Sequence, residues 1–401
     1  MVEQKISWLN TRYAIVQASY WMSFAVVFAF GSVFLLSRGF DNRQIGVIMA
    51  MGNVLAAICQ SPVASFADRS EKVSLSMISA VTGGGIIGAS ILLMMLSGQK
   101  GLSGLLFLLA ATMVLILQPL VNAVGMFFVN KGYSVNFGLA RGIGSASYAL
   151  MASLLGFLVE DFGEKVILYA LLAVYVVYVI SICFMDTRKD SHRTEVKLKE
   201  KEETSSSLKE FVLTYRKFML MLVGVALLFA NHNILNTYMF QIMQSVGGGS
   251  QDMGISMALA AISELPAMFL FSWLIIRFRC RSLLQLSAVF FSVKSVLFVF
   301  AGSVGMIHGA QLAQALAFAL FTPASVYYVN QNIARKDHVK GQALSTTANT
   351  VGGVIGSLVG GQLLAGVGAK WMLIVGAMLS IAGTVIVCFF AEEAPGTRSK
   401  Q

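Results

Sequence analysis

Charge is scarce in this chain, at 12% of residues, and acidic side chains are nearly missing from its long apolar stretches. With 57% of its 401 residues hydrophobic, it has too little polar surface to cover a soluble globule of that size, so a water-soluble fold is excluded and an integral membrane protein is indicated. The four cysteines, Cys59, Cys183, Cys280 and Cys388, lie in or beside apolar runs with no short spacing between any two. That distribution suggests neither a disulfide framework nor a thiolate metal site. No G-x-x-x-x-G-K followed by Ser or Thr occurs, so ATP is not expected to drive the protein, and the glycine runs Gly83-Gly84-Gly85 and Gly352-Gly353 lie inside apolar segments where they favour close helix packing. No Ser/His/Asp or His/Glu metal pattern is found. An enzyme is therefore not expected, nor is a cofactor or a bound metal.

What the chain does have is apolar runs long enough to cross a hydrocarbon layer of ~30 Å. They fall near 12–37, 44–66, 74–97, 103–129, 137–159 and 165–186, and again near 215–244, 252–276, 283–303, 307–333, 341–366 and 370–391. The first is too long for a signal-peptide core and has no small-residue cleavage site after it, so it is read as a retained span. This predicts an all-α membrane protein of twelve transmembrane helices, here called spans 1 to 12. The divider at 187–214 holds seven Lys/Arg, six Asp/Glu and Ser205-Ser206-Ser207, the composition of a solvated linker. The expected organisation is a six-helix bundle at 1–186, a cytoplasmic linker at 187–214 and a second six-helix bundle at 215–401.

Positive charge sets the orientation. With both termini in the cytoplasm, 22 Lys/Arg fall on the inner side and five on the outer side, namely Arg38, Arg43, Lys100, Lys165 and Lys370. Such a bias over short loops predicts a multi-pass protein of the cytoplasmic membrane with both ends inside. The net charge of +10 thus reports orientation, and no nucleic-acid partner is inferred from it.

The halves repeat. Pro62 and Pro266 are 204 residues apart, and so are Pro119 and Pro323. Around them Gln60-Ser61-Pro62 answers Glu264-Leu265-Pro266, Phe127-Phe128-Val129-Asn130 answers Tyr327-Tyr328-Val329-Asn330, and Gly138-Leu139-Ala140 answers Gly341-Gln342-Ala343. Two parallel repeats with an even number of helices are related by a pseudo-two-fold axis along the membrane normal, the arrangement that lets one half rock against the other.

Inside the spans, Glu264 is the one carboxylate near a bilayer midplane; every other Asp or Glu lies in a terminus, a loop or at the edge of an apolar run. An acid at that depth costs roughly 2.5–3.5 kcal/mol on insertion scales, so it is there for a reason, either transport or architecture. Lys294 in span 9 and Glu264 in span 8 stand about 15 residues to either side of the loop near Cys280, so at ~1.5 Å per residue they reach similar depth on antiparallel neighbours. A neighbouring cation keeps such an acid ionised, and separation or desolvation favours proton uptake, which would let Glu264 and Lys294 couple protons to transport. The competing reading is a structural salt bridge, or an acid bonded to backbone at the Pro266 kink. Arg141, a few residues into span 5, either joins a site or reaches back to the surface along its stem. Span 7 carries Asn231, His232, Asn233, Asn236 and Thr237, with His232 and Asn236 on one face. These uncharged groups suit either a polar solute or bonds between helices. Gln118 and Asn122 in span 4 and Gln311 and Gln314 in span 10 form similar stripes, and Gln17, Tyr20 and Trp21 in span 1 are weaker candidates.

Twelve spans in a six-plus-six repeat with Asp68-Arg69 between spans 2 and 3 resemble the major facilitator superfamily, whose loop signature is G-x-x-x-D-R-x-G followed by two basic residues. The signature is worn here, with Ala64 and Glu71 at the two glycine places and Lys72 kept. Phe137-Gly138-Leu139-Ala140-Arg141 followed by Tyr148 resembles the lactose-permease-like branch, and Arg141-Gly142-Ile143-Gly144-Ser145 the phenylpropionate-permease group; Ser263-Glu264-Leu265 is similar to the eighth-helix acid of both. The resemblance implies the major facilitator fold, with spans 1, 4, 7 and 10 lining the cavity. It further implies a conformational latch at Asp68 and Arg69, and substrate contacts at Glu264, Arg141 and Tyr148, joined by His232, Asn236, Asn122, Gln118 and Gln314 from the polar stripes. The branch's acid in span 4 and its His and Glu in span 10 are absent, with Asn122 and Ala123, and Phe318 and Phe321, near those places, so lactose-type coupling does not carry over. The function expected is a secondary active transporter, a symporter taking up a sugar, nucleoside or similar small polar solute with protons by alternating access, as a monomer in the lipid bilayer. The alternative is a proton-coupled exporter of a drug or metabolite. Export is disfavoured because residues 137–159 lack the Gly-Pro-rich motif that antiporters of the superfamily carry in span 5.

Overall fold

A computed structural model of the chain describes residues 2–69, 73–96, 98–131, 133, 135–185, 187 and 206–392, with backbone alone for 2–7, 68 and 69. Among the described residues the secondary structure is entirely helical. Eleven helices are long and apolar enough to cross a bilayer, and the pair Trp8–Ala29 and Gly31–Ser37, bent by 47°, makes a twelfth when counted as one span.

Span 1 therefore runs as Val2–Phe24, a π-helical stretch Ala25–Ala29, and Gly31–Ser37. Spans 2 to 6 are Asn42–Arg69, Leu75–Met95, Lys100–Asn130, Phe137–Phe162 and Lys165–Cys183. Span 7 is Arg216–Thr237 continued by Met239–Ser245; span 8 is Ser250–Arg277 and span 9 is Cys280–Phe300. Span 10 is broken into Val304–Gln311, a 3-10 turn Leu312–Ala315, and Phe318–Asn332. Spans 11 and 12 are His338–Val367 and Ala369–Phe390. The interruptions fall in spans 1, 7 and 10, and such breaks survive in a bilayer where neighbouring side chains satisfy the freed backbone. Prolines 62, 119, 266 and 323 all lie inside helices.

Local signals explain where the spans stop. Positive φ occurs at Gly39 (78°) after span 1, Gly163 (78°) after span 5, Gly247 (83°) after span 7 and Gly368 (84°) after span 11. This left-handed conformation suits glycine, and the four positions fall at matching places in the two halves of the sequence. Ser74, Asn136 and Ser303 begin spans 3, 5 and 10 by accepting the backbone N–H three residues on.

The helices form two compact units, one of Met1–Arg193 with Asn236–Ile262, the other of Thr194–Leu235 with Ser263–Gln401. The dividing points thus fall inside spans 7 and 8. Within the first unit span 1 packs against spans 4, 5 and 6, span 3 against 4 and 6, and span 2 against 4. The far part of span 8 approaches span 5 backbone to backbone, with Gly156 facing Gly254, and Glu160 accepts from the Ser250 N–H at 2.9 Å at the start of span 8. Within the second unit span 9 packs against spans 10 and 12, and span 11 against 10 and 12. There Gly352 and Gly356 let span 11 lie against the span 7 backbone at Ala226 and Ala230.

Most of the expected linker lies outside the described residues. At its end Leu208–Thr214 is a short helix with a Ser207/Glu210 capping box and a fully buried Phe211. The backbone N–H and hydroxyl of Ser206 donate to Asp337 Oδ1 at 3.1 and 2.8 Å, so this end is fastened to the segment between spans 10 and 11.

Candidate functional site

Each unit gathers its own polar cluster. In the second, Lys294 is buried at 1% exposure near the middle of span 9. Its ammonium donates to Gln314 Oε1 at 2.7 Å, and Gln314 Nε2 donates onward to Glu264 Oε1 at 2.9 Å. One amide therefore stands between the cation of span 9 and the acid of span 8. Each end of that amide meets the only kind of partner it can bond, since an ammonium donates and a carboxylate accepts. Glu264 is half-buried and turned toward spans 9 and 10. Gln314, at 4% exposure, sits in the 3-10 turn where span 10 is broken.

The break is held from one side of span 9. Cys280, Ser287 and Lys294 follow one another at steps of seven, which on a helix is a single stripe. Cys280 Sγ donates to the Ala324 carbonyl at 3.2 Å and Ser287 Oγ to the Ala317 carbonyl at 2.7 Å, where span 10 resumes. Lys294 makes the third bond of this seam. The stripe was readable as polar residues at heptad spacing in an otherwise apolar helix, yet only Lys294 was singled out from the sequence.

Span 7 contributes His232, whose ring stacks on Phe318 (5.1 Å, 10°) and meets Phe229 and Phe291 edge-on at 5.9 and 5.7 Å. Its neighbours tie helices together: Asn231 donates to Ser295 beside Lys294, and Asn233 accepts from Ser357 of span 11 at 2.8 Å. The span 7 polar group is thus divided in use. Asn236 lies past the boundary, in the first unit, half-buried.

In the first unit the Arg141 guanidinium lies over the Trp21 ring, 3.9 Å from its centre, and donates to Ser145 Oγ at 2.7 Å. Trp21 Nε1 donates to Gln17 Oε1 at 3.2 Å, and Gln17 Nε2 donates to the Tyr13 hydroxyl at 2.8 Å and to Asn122 Oδ1 at 3.3 Å. Spans 1, 4 and 5 thereby meet in one network. Gly144 makes it possible, because a Cβ there would collide with the indole of Trp21 at 2.5 Å. Arg141 therefore lies along an aromatic face, half-buried. Gln118 is half-buried one turn before Asn122. Tyr148 packs against Ala149, Ala258 and Ala261, a small apolar cluster joining span 5 to the first half of span 8. The backbone of Asp68 and Arg69 ends span 2, and their side chains lie outside the described residues. Among the described residues no three His, Cys, Asp or Glu side chains gather so as to hold a metal ion.

Apolar helices for up to twelve spans, carrying a buried lysine, a half-buried acid and an aromatic-stacked arginine, are those of a multi-pass membrane protein. The chain belongs to the major facilitator superfamily: residues 11–375 match the family model described as MFS_1 like family. It is similar to the maltose permease of Geobacillus stearothermophilus, 24% identical over 380 residues, covering 92% of this chain and 93% of that one. It is also 24% identical over 354 residues to the uncharacterized transporter YwbF of Bacillus subtilis strain 168, covering 86% and 83%. Among solved structures, a point variant of the nucleoside transporter NupG superposes with a TM-score of 0.81 at 15% identity, covering 96% of this chain and all of that one. A bacterial homologue of the human lysosomal transporter Spinster gives 0.72 at 12% identity, covering 96% and 97%. At such identities the structural likeness establishes the fold.

Proposed function

We propose that this transporter is a symporter that takes up a small polar solute, a sugar or nucleoside in class, together with protons by alternating access. It works as a monomer in the cytoplasmic membrane with both termini inside. The observation that carries the reading is the chain Lys294–Gln314–Glu264. A carboxylate kept inside a membrane protein stabilises a buried ammonium, and neutralising the acid leaves that ammonium without its counter-charge. Protonation of Glu264 thus changes the relative energies of two conformations, which is what coupling requires. The names of the relatives, a maltose permease and a nucleoside transporter, support the solute class.

On this reading Arg141, Asn122, Gln118, Tyr148, Asn236 and His232 face the solute, with Trp21 and Gln17 beside them. Arg141 and the amides offer hydrogen bonds to hydroxyl or carbonyl groups, and Trp21 and the His232 ring offer flat faces. Gln314, engaged at both ends, belongs with Glu264 and Lys294 in coupling. Asp68 and Arg69 act as the conformational latch.

The test is uptake of labelled maltose and uridine by cells carrying the wild-type chain or Glu264→Gln. A symporter concentrates at least one of them, and the variant loses accumulation at least about tenfold while solute exchange down a gradient stays within a few-fold, because exchange needs no net proton transfer. Equal accumulation by wild type and variant would contradict the coupling role.

A further inference from the structure

We infer that Gln314 is the positioning residue that transmits the charge state of Glu264 to the break in span 10, so that proton uptake loosens the 312–317 turn; this rests on the coupling reading above. Three features of the structure lead there. The turn is the one place where span 10 abandons α-helical geometry, between Gln311 and Phe318. It is held by side chains: Ser287 takes the Ala317 carbonyl at its far end, and Lys294 takes the Gln314 side chain in its middle. The only bond described between Gln314 and span 8 is the one to Glu264 Oε1.

That bond depends on charge. Hydrogen bonds to an ionised carboxylate are roughly twice as strong as those between neutral groups. When Glu264 accepts a proton, Gln314 Nε2 faces a neutral acid and Lys294 loses its nearest compensating charge, so both grips on the turn weaken together. Ser287 binds a backbone carbonyl and does not respond. The result is a hinge fixed at Ala317 and released at Gln314, which lets Val304–Gln311 move relative to Phe318–Asn332. A direct Glu264–Lys294 ion pair would register the same proton without informing span 10; the interposed amide is what brings span 10 into the circuit.

Charged and titratable groups described near Glu264 include Lys294 of span 9 and, on span 7, His232, which lies within electrostatic reach of Lys294. The test addresses Lys294 by Glu264→Gln, which neutralises the acid and keeps the amine, and His232 by its own substitution. Hydrogen–deuterium exchange is measured on the purified full-length protein in lipid nanodiscs, with no solute, as protection factors for the 304–320 segment at about pH 8 and about pH 5.5, which removes the chemical pH dependence of exchange. In the wild type, protection of 312–317 is expected to fall several-fold on acidification. Glu264→Gln should be low at both values. Gln314→Leu, of similar volume and with Glu264 intact, should also lose the pH response. His232→Gln should retain it. Gln314→Leu responding like the wild type overturns the proposal, as does a response kept in Glu264→Gln, whatever His232→Gln shows. Because the readout uses no solute and no gradient, a Gln314 result stands apart from any failure of the transport assay, and global unfolding of a variant would be seen as lost protection in spans 3 and 4.

Discussion

The two units each hold a cation among their helices, half-buried in the first and fully buried in the second, and they treat it in opposite ways. Arg141 lies flat on Trp21 and bonds a serine one turn along its own span, at the edge of a network of neutral amides. Lys294 is enclosed at 1% exposure and reaches an acid through an amide. A guanidinium is planar, weakly hydrated and always charged, so stacking it leaves its N–H edge free of any need to titrate; an ammonium is a compact point charge that a membrane interior tolerates only with a partner. On the proposed function the two units divide the labour: the first offers a fixed charge with hydrogen-bonding edges for a solute, and the second holds a charge balance that a proton would upset.

The comparison breaks most readily at Lys294. Lys294→Met removes the buried cation that Gln314 links to Glu264 and should destabilise the protein by about 3–5 kcal/mol, read as a lower thermal midpoint, whereas Lys294→Met with Glu264→Gln should recover most of that loss. A double variant no better than the single would mean that the two charges are not coupled. At Arg141 the expected effect is smaller and of another kind. Arg141→Lys keeps the charge but loses the planar stack and should raise KM for a transported solute about tenfold, a loss of ~1.4 kcal/mol, with the thermal midpoint unchanged. Trp21→Leu should act in the same direction through the lost cation–π contact, worth about 0.5–2 kcal/mol. Smallest are the ties between helices: Asn233→Ala, which removes the bond to Ser357, should cost about 0.6 kcal/mol of stability and leave transport intact. If Asn233→Ala abolished transport, span 7 would be doing more than holding span 11.

These contrasts also mark how far the sequence could be read. The span count and most span boundaries follow from hydrocarbon thickness and hydropathy alone, because a membrane leaves the backbone so few options. The depth match of Glu264 and Lys294 could be counted along two antiparallel helices. The amide between them could not, since it depends on how span 10 is rotated and broken. Nothing in Gln311-Leu312-Ala313-Gln314-Ala315-Leu316-Ala317 signals that break: there is no proline or glycine, and the turn is sustained by bonds from Ser287 and Lys294, which are tertiary. Arg141 on Trp21 was hidden for the same reason, the two being 120 positions apart in the chain. The span 7 cluster looked uniform in sequence, yet its members are sorted by helical rotation: Asn231 and Asn233 toward neighbouring helices, His232 into an aromatic box of Phe229, Phe291 and Phe318.

The central claim is that Glu264 changes its protonation under working conditions, and difference infrared spectroscopy of the purified protein in lipid addresses it without knowledge of the solute. Acidification from about pH 8 to about pH 5 should raise a carboxylic-acid carbonyl band in the wild type that is missing from Glu264→Gln. The same band in both proteins, or none in either, would contradict the account.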